Sequence, residues 1–349
     1  MRNGIYFVCF LFLLLILNCK GKHEDVIIGP VGDDYFITTV NELNDTTYTR
    51  QIDSLYESGV EGFFLGRSDV KIYYKLFKQN NTEKAIVISS GRTEAAIKYK
   101  ELIFDLYMNG FSVYIHDHRG QGFSGRMTQN PQMGYIDSFQ FYIDDLKFFY
   151  DNFVSKRSYK KTYLLAHSMG GAIGMTYIQQ HPNDFSAASF SSPMLGFKPG
   201  ICKLTSLLEN DQPKFAIGQT EYNDKKNSFE DNALTGSKVR FDRMLEVYKK
   251  HPVARLGGVT YNWLSRSCEQ FEYMLDHINM VQTPFVLFSA ENEDIVSIKA
   301  HSKFINAAKE QNKICEYVEI EDAQHELFIE TDNIRNKVMN KTLDFFSSY

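Results

Sequence analysis

Short apolar runs alternate with longer amphipathic segments along most of the chain after about residue 84. The apolar runs have the length of buried strands, and the segments between them repeat hydrophobic residues with the period of a helix. The predicted strands are KAIVISSG, FSVYIHDHRGQG, KTYLLAHS, FSAASFSSP, TPFVLFSAEN and CEYVEIEDAQH. The predicted helices are AAIKYKELIFDLYMNG, FQFYIDDLKFFYDNFV, GAIGMTYIQQHP, SIKAHSKFINAAKEQ and a last helix at about 333–346. This alternation predicts an α/β fold with a doubly wound, mostly parallel sheet, because parallel strands need crossover helices on the faces of the sheet.

Two parts of the chain depart from this alternation. Ahead of it, EGFFLGRSDVKIYYKLFK has two apolar-rich runs broken by GRSD at residues 66–69, which predicts a β-hairpin. In the middle, from about Met194 to Met280, helical and loop segments rich in Phe, Leu, Ile and Tyr are interrupted by prolines and glycines. We interpret residues 194–280 as an insertion into the α/β domain.

The N-terminus has the layout of a secretion signal, with Arg2 followed by an apolar run from Ile5 to Leu17. Thirteen helical residues at about 1.5 Å each span roughly 20 Å, which is short of the roughly 30 Å of a bilayer core and disfavours a permanent transmembrane helix. The sequence ILNC, which ends at Cys19, resembles a bacterial lipobox, whose cysteine is lipidated and becomes the new N-terminus.

These features divide the chain into residues 1–19 as a signal peptide, 20–56 as a tether with an N-terminal segment, and 57–349 as the α/β domain. Lipidation of Cys19 would make the protein an exported, membrane-anchored bacterial lipoprotein. A plain signal peptide or a short uncleaved anchor is the alternative.

Composition and charge narrow the possible partners. The chain has 349 residues with 43% hydrophobic and 23% charged residues, which suits a large globular domain. Its net charge of −5 provides no basic surface for nucleic acid. Apart from Cys9 and Cys19, the cysteines are Cys202, Cys268 and Cys315, a widely spaced trio that indicates neither a disulfide framework nor a zinc site but leaves one bridge open.

The stretch LLAHSMGG is the strongest candidate for chemistry. Ser168 lies where a buried strand meets a helix, and Gly170 and Gly171 follow it. This is close to the G-x-S-x-G turn that exposes a nucleophilic serine, with Ala166 in place of the first glycine. The alternative is a serine that only caps the helix.

A nucleophilic serine needs a base and an acid that orients the base. His325 follows the last predicted strand in DAQHELF, at the carboxyl edge where open parallel sheets gather their sites. Glu291, Glu293 and Asp294 follow another strand at that edge, and serine, acid, histidine is the chain order of such triads. A solvated acidic loop and a surface histidine are the alternatives.

Two backbone amides are candidates for stabilising an oxyanion. VISSG ends an early strand just before Arg92, whose amide can lie beside the amide of Met169, the residue after the serine. A separate G-x-G-x-x-G match at residues 120–125 is not followed by a helix pattern, so no helix N-terminus is predicted there for a dinucleotide. We therefore expect neither a cofactor nor a metal.

Six segments give the chain a family resemblance from about Gly59 to Phe346: SSGRTEAAIKY, DHRGQGFSGR, AHSMGGAI, GVTYNW, SAENEDIV and DAQHELF. They resemble the α/β-hydrolase fold, in its branch of monoacylglycerol lipases, bacterial lysophospholipases and serine aminopeptidase-like hydrolases. The resemblance implies Ser168 as nucleophile, His325 as base, and Arg92 and Met169 as oxyanion donors. It favours Glu293 as the acid and leaves Asp294 as the alternative.

The resemblance also implies a function. A Ser-His-Glu triad would release a fatty acid from a monoacyl lipid, with lysophospholipid as the first expectation and monoacylglycerol or another carboxylic ester as alternatives. The insertion would form a helical cap in which Phe197 and Trp263 wall an acyl pocket, unless they are simply the core of the cap. A lipid anchor would hold the enzyme at a membrane surface. A non-catalytic lipid-binding lipoprotein would share the fold without turnover.

Overall fold

The computed structural model describes residues 35–208, 212–223 and 228–349. Within them, eight strands form one sheet in the order β1-β2-β4-β3-β5-β6-β7-β8. The strands are β1 Val60–Leu65, β2 Lys71–Phe77, β3 Lys84–Ser89, β4 Ser112–His116, β5 Lys161–His167, β6 Ala187–Ser191, β7 Phe285–Ala290 and β8 Cys315–Ile320. The helices are α1 Val40–Leu43, α2 Thr46–Ser58, α3 Lys100–Met108, α4 Gln140–Phe149, α5 Met169–Gln180, α6 Ile201–Leu208, α7 Lys238–Lys250, α8 Tyr261–Asp276, α9 Ile298–Glu310 and α10 Asp332–Ser347.

The strand pairing confirms the fold class expected from the sequence. β1 and β2 form the predicted antiparallel hairpin, and β2 is also antiparallel to β4. The pairs from β4 through β8 are all parallel. The sheet is therefore mostly parallel, and its carboxyl edge gathers the loops that follow β3, β5, β7 and β8.

The central strand β5 shows why the apolar runs are continuous. Leu164 and Ala166 pack into the core on one face of the sheet, and Tyr163 and Leu165 pack into the core on the other face. Successive side chains of a strand point to opposite faces, so a strand with helices on both sides must be apolar at every position. All four side chains are at most 2% exposed.

The described part of the N-terminal segment, from residue 35, is packed onto the α/β domain. Thr38 donates a hydrogen bond from Oγ1 to Asp105 of α3 at 2.5 Å, and both residues are fully buried. Ile52 of α2 is buried against Phe104. The part of segment 20–56 that the structure describes therefore belongs to the folded unit, which extends ahead of the division drawn at residue 57.

The N-terminal predictions concern residues outside the described ranges. The signal peptide at 1–19, the lipidation site Cys19 and the start of the tether all lie ahead of residue 35. In the part of the chain that the structure describes, no helix combines the length and apolar character needed to cross a membrane.

The insertion between β6 and β7 forms a cap that contains α6, α7 and α8. A disulfide joins Cys202 of α6 to Cys268 of α8 across 66 residues of sequence, while Cys315 is a free thiol in β8. The sequence left one bridge open without naming its partners. The pairing follows from the packing of α6 against α8, which only the folded cap brings about.

The turn between β5 and α5 is the tightest point of the fold. Ser168 has a φ of 52°, a left-handed conformation that L-residues adopt at a cost of about 1–3 kcal/mol. A Cβ at Gly170 would lie 2.1 Å from the carbonyl oxygen of Ser89 and 2.4 Å from that of Ser90. Position 170 therefore requires glycine. Ala166, by contrast, is fully buried in the core, so its methyl group has a place to pack.

We expect Gly170→Ala to lower the free energy of unfolding by about 2–3 kcal/mol, because the new Cβ meets backbone oxygens that cannot rotate away. Helix propensity alone would act in the opposite direction, by about 0.5–1 kcal/mol. Gly174→Ala in the same helix is the matched control. Its Cβ would meet side chains and no backbone oxygen, with Leu164 Cδ2 at 2.9 Å and Ala166 Cβ and Phe190 Cε1 at 3.2 Å each, so we expect a smaller loss of about 1 kcal/mol. Urea unfolding measures both variants, and a Gly170→Ala protein as stable as the wild type contradicts the prediction.

Candidate active site

Three residues from three separate loops form one hydrogen-bonded chain at the carboxyl edge of the sheet. Ser168 follows β5, Glu293 follows β7 and His325 follows β8. The distance between His325 Nε2 and Ser168 Oγ is 2.9 Å, and that between His325 Nδ1 and Glu293 Oε2 is 2.7 Å. A carboxylate can only accept, so Nδ1 carries the proton and Nε2 is left to accept from the serine hydroxyl. The arrangement can deprotonate the serine.

Ser168 occupies the N-cap position of α5 but does not act as a side-chain cap. Its Oγ makes no capping hydrogen bond to the first turn of the helix. The hydroxyl faces His325 instead, and the residue is 8% exposed. The geometry thus separates the two interpretations of this serine that the sequence left open.

Glu293 is held in place from both sides of its carboxylate. Oε1 accepts hydrogen bonds from the amides of Ile295 at 2.8 Å and Val296 at 3.1 Å, while Oε2 faces His325. Burial acts to raise the pKa of Glu293, but the hydrogen bond and charge of His325 and these two amides outweigh it, so the pKa lies below its usual value. The group therefore carries a negative charge beside the imidazole.

The alternative acid, Asp294, points away from His325. Its side chain is 73% exposed and forms an ion pair with Lys198 at 2.9 Å. Glu291 is also exposed, and its carboxylate accepts from the amide of Asp322. Of the three carboxylates on this loop, Glu293 is the one that the structure brings to the histidine.

The two proposed oxyanion donors lie on adjacent loops. The register of β3 and β5 pairs Ser89 with Ala166, so the loop that contains Arg92 runs beside Ser168. Met169 is the first residue of α5, where amides have no carbonyl partner within the helix and the helix dipole favours negative charge. Arg92 lines the same cavity as Ser168.

The segment that matches G-x-G-x-x-G supports this loop. Gln121 Nε2 donates to the carbonyl oxygens of Gly91 at 2.7 Å and Glu94 at 2.9 Å. The next helix, α4, begins only at Gln140. The segment thus braces the backbone around Arg92 and does not open a helix.

A second network of buried charges lies under the triad. Lys98 Nζ bonds both Glu94 and Glu326, and all three side chains are at most 9% exposed. His167 Nε2 lies 3.5 Å from the carboxylate of Glu326. In the sequence, His167 directly precedes Ser168, and Glu326 directly follows His325. Burial, followed by the charge of Glu94, raises the pKa of Glu326 to about 7. The sequence analysis missed this network, although Glu94 and Lys98 have the i,i+4 spacing of a helical ion pair.

This network also contains the one cluster among the described residues whose side chains could together hold a metal ion. Ligand atoms of Glu94, His167 and Glu326 lie within 4.8 Å of one another. The ammonium group of Lys98 already bonds both carboxylates, so a metal ion would have to displace it. The residues therefore fit an internal cation better than a bound metal.

A cavity of about 600 Å³ opens over Ser168 and His325. One wall is polar and belongs to the loops after β3 and β8, and another is the apolar face of α7. The residues of that face, Phe241, Met244, Leu245 and Tyr248, have i, i+3, i+4 and i+7 spacing. This stripe marks an apolar face of α7 in the sequence, but the helical period alone does not say that the face lines the cavity.

Phe197 and Trp263, which the sequence placed in an acyl pocket, do not line this cavity. The ring of Phe197 lies 4.8 Å from that of Phe271 and 6.1 Å from that of Trp263. Trp263 is 3% exposed, and all three belong to the core between the cap and the sheet. This packing matches the alternative that the sequence left open, that these residues are part of the core of the cap, because α8 packs against α5.

The comparison with known proteins agrees with the geometry of the site. The family model described as Hydrolase_4, serine aminopeptidase S33, matches residues 80–332. Lysophospholipase L2 of Escherichia coli K12 is 34% identical over 83% of this chain and 88% of its own length. Mouse monoglyceride lipase is 22% identical over 79% of this chain and 86% of its own.

A crystal structure of a soluble variant of yeast monoglyceride lipase covers 83% of this chain and 96% of that chain, with a TM-score of 0.63 and 19% identity. A carboxyl esterase from Bacillus coagulans superposes with a TM-score of 0.65 at 14% identity. Likeness at these identities concerns the fold, and it confirms the α/β-hydrolase architecture expected from the sequence. The chain belongs to the Hydrolase_4 family of serine aminopeptidase-like α/β-hydrolases, in the branch that contains lysophospholipase L2 and the monoglyceride lipases.

Proposed function

We propose that this protein hydrolyses the carboxylic ester of a monoacyl lipid and that its preferred substrate is a lysophospholipid. The observation that carries the proposal is the hydrogen-bonded chain from Ser168 through His325 to Glu293, which opens into a cavity of about 600 Å³. The 34% identity to a lysophospholipase L2 supports the choice of substrate.

In the proposed reaction, Ser168 Oγ attacks the ester carbonyl carbon while His325 Nε2 takes the hydroxyl proton. The amides of Arg92 and Met169 stabilise the oxyanion, and Glu293 stabilises the imidazolium. The imidazolium then protonates the leaving alcohol oxygen, which leaves an acyl ester on Ser168. A water molecule, deprotonated by His325, attacks this ester, and the fatty acid departs as Ser168 recovers its proton.

The walls of the cavity suit a substrate with one apolar chain and a polar head. The apolar face of α7 offers Met244 and Leu245 to an acyl chain, and burial of such a chain contributes about 0.8 kcal/mol per CH₂. The polar wall near Ser168 would receive the alcohol part. Monoacylglycerol hydrolysis is the second candidate, supported by relatives named monoglyceride lipase at 22–27% identity.

We further propose that the protein is exported and held at a membrane surface by lipid on Cys19. The disulfide between Cys202 and Cys268 supports export, because disulfides persist mainly in oxidising compartments. On α6, Leu204 is 51% exposed and Leu207 is 74% exposed, which gives the cap an apolar surface suited to contact with lipid.

Ser168→Ala should lower kcat by about 10⁶-fold, because it removes the atom that attacks the ester. We expect the wild type to release fatty acid from lysophosphatidylcholine at a higher kcat/KM than from a monoacylglycerol of the same chain. Titration of released fatty acid with both lipids measures the preference. Undiminished hydrolysis by Ser168→Ala would contradict the mechanism. A wild-type protein that binds both lipids without hydrolysing them would instead be a lipid-binding protein.

Glu293→Gln should lower kcat by about 10⁴-fold, because the histidine loses its orienting carboxylate. Asp294→Asn is the matched control on the same loop, and we expect a change below about threefold because its ion pair is exposed. Hydrolysis of a soluble p-nitrophenyl ester reports both. A larger loss in Asp294→Asn would show that Asp294 is the acid.

Cys19→Ser should abolish incorporation of a fatty acid analogue and release the protein from membranes into the soluble fraction. Cys315→Ser is the control, since Cys315 is a free thiol in β8, far from residue 19 in the sequence. The measurement is labelling of both variants and of the wild type in cells. Equal labelling of wild type and Cys19→Ser would refute lipidation at this cysteine.

A further inference from the structure

The polar wall of the cavity contains an arginine that has no carboxylate partner among the described residues. Arg92 lines the cavity together with Ser168 and His325. Within those residues, its guanidinium makes one hydrogen bond, from Nη1 to the carbonyl oxygen of Gly257 at 3.0 Å. Its Cζ lies 5.5 Å from the centre of the Trp263 ring. A ring face and a carbonyl hold the group in position but do not neutralise it.

This uncompensated charge needs a physical reason. Burial lowers the pKa of Arg92 to about 10, so the guanidinium is still protonated at neutral pH. Arg92 is half-buried at the wall of the cavity, where a cation is less well solvated than in open water, and such groups are usually paired in folded proteins. A guanidinium has five N–H donors. An anion that enters the cavity would supply both the missing charge and acceptors for the remaining donors.

The other cations on this cavity are already engaged. Lys98 bonds Glu94 and Glu326. Arg255 donates from Nε to the carbonyl oxygen of Tyr248 at 2.7 Å, its guanidinium lies over the ring of Tyr222, and these are not its only interactions. Arg92 is therefore the group on this wall that is best placed to receive an anion.

We propose that the Arg92 guanidinium binds the phosphate of a single-chain phospholipid whose acyl ester lies at Ser168, and that this contact selects phosphate-bearing esters over neutral ones. The inference rests on the proposed ester hydrolysis and names the residue that determines its substrate class. Arg suits the task because its planar fork forms paired hydrogen bonds with phosphate.

The dimensions of substrate and side chain agree. In a lysophospholipid acylated at the terminal glycerol carbon, six bonds separate the carbonyl carbon from phosphorus, and five separate the Cα of an arginine from Cζ, at about 1.5 Å per bond. The backbone amide of Arg92 can therefore face the ester oxygen while its side chain reaches the phosphate. Trp263 then acts as the platform under the guanidinium and not as a wall for the acyl chain.

The test compares kcat/KM for lysophosphatidylcholine with kcat/KM for a monoacylglycerol of the same chain. In Arg92→Gln we expect the ratio of the two to fall by about 10- to 100-fold, which is the loss of charge-assisted hydrogen bonds. The amide of residue 92 serves both substrates, so any effect through the oxyanion cancels in the ratio. Arg92→Lys keeps the charge and should retain part of the ratio.

Arg255→Gln is the matched control, because it removes another cation from the same cavity. We expect its ratio to stay within about threefold of the wild type, since Arg255 is already engaged. An equal fall in Arg255→Gln would mean that the general field of the cavity, and not Arg92, selects the phosphate. An unchanged ratio in Arg92→Gln would overturn the phosphate site and leave the proposed hydrolysis standing.

A second measurement does not depend on lipid turnover. An alkylphosphocholine and a monoalkylglycerol ether of equal chain, neither with a carboxylic ester, are compared as inhibitors of p-nitrophenyl ester hydrolysis below their aggregation concentrations. We expect Arg92→Gln to weaken inhibition by the phosphocholine about 10-fold or more and to affect the glycerol ether much less. If the wild type does not hydrolyse lysophosphatidylcholine, the proposed function is contradicted. Weaker inhibition of Arg92→Gln by the alkylphosphocholine would even then support the phosphate site. Equal inhibition of wild type and Arg92→Gln by the phosphocholine would overturn it.

Discussion

At Gly170 the backbone of α5 passes so close to the loop after β3 that a Cβ would lie 2.1 Å from the carbonyl oxygen of Ser89. This contact joins the two loops on which the site depends. Next to it, Ser168 has a left-handed φ of 52° at the end of β5, and the register of β3 and β5 sets the loop of Arg92 beside the first amide of α5. The strain in the turn is sustained by the packing on both sides of β5, where β6 is buried throughout and β3 is buried after its first residue, Lys84.

Two buried charge networks share this region and remain distinct. His325 bonds Ser168 and Glu293, whereas the next residue, Glu326, bonds Lys98. Adjacent side chains thus point into different networks. Within the cluster, Lys98 bonds both Glu94 and Glu326, and Glu94 also braces the loop of Arg92 by accepting from the amide of Gly91. Arg92 stands outside this compensation, and that is why its charge is open to a ligand.

Among the described cap helices, α7 lines the cavity, together with the cap loops that contain Gln219, Asn232 and Arg255. α7 presents its apolar stripe to the cavity, while α8 packs on α5 and is joined to α6 by the disulfide. Trp263 connects these roles, since it is buried in the core under the cap and also supports the guanidinium of Arg92. A change in the packing of α8 would therefore reach the polar wall of the cavity without touching Ser168.

The sequence by itself determined the order of strands and helices along the chain, the hairpin and the inserted cap. It also determined that Ser168 and His325 follow strands at the carboxyl edge of the sheet. These features follow from local rules: the alternation of apolar residues sets each element, and the carboxyl ends of parallel strands meet at one edge. Only the tertiary structure decided between Glu293 and Asp294, because neighbouring residues of a loop point in directions set by contacts with distant parts of the chain. His325 lies 32 residues from Glu293 and 157 from Ser168.

The lining of the cavity was likewise beyond the sequence. Apolar residues of α7 and α8 have the same helical period, and nothing in that period says which helix faces the cavity and which faces α5. For the same reason, the sequence did not determine the pairing of Cys202 with Cys268. It also did not show that Arg92 has no carboxylate beside it in the described chain. Each depends on which side chains meet across large sequence separations, and packing between elements, not periodicity within them, decides that.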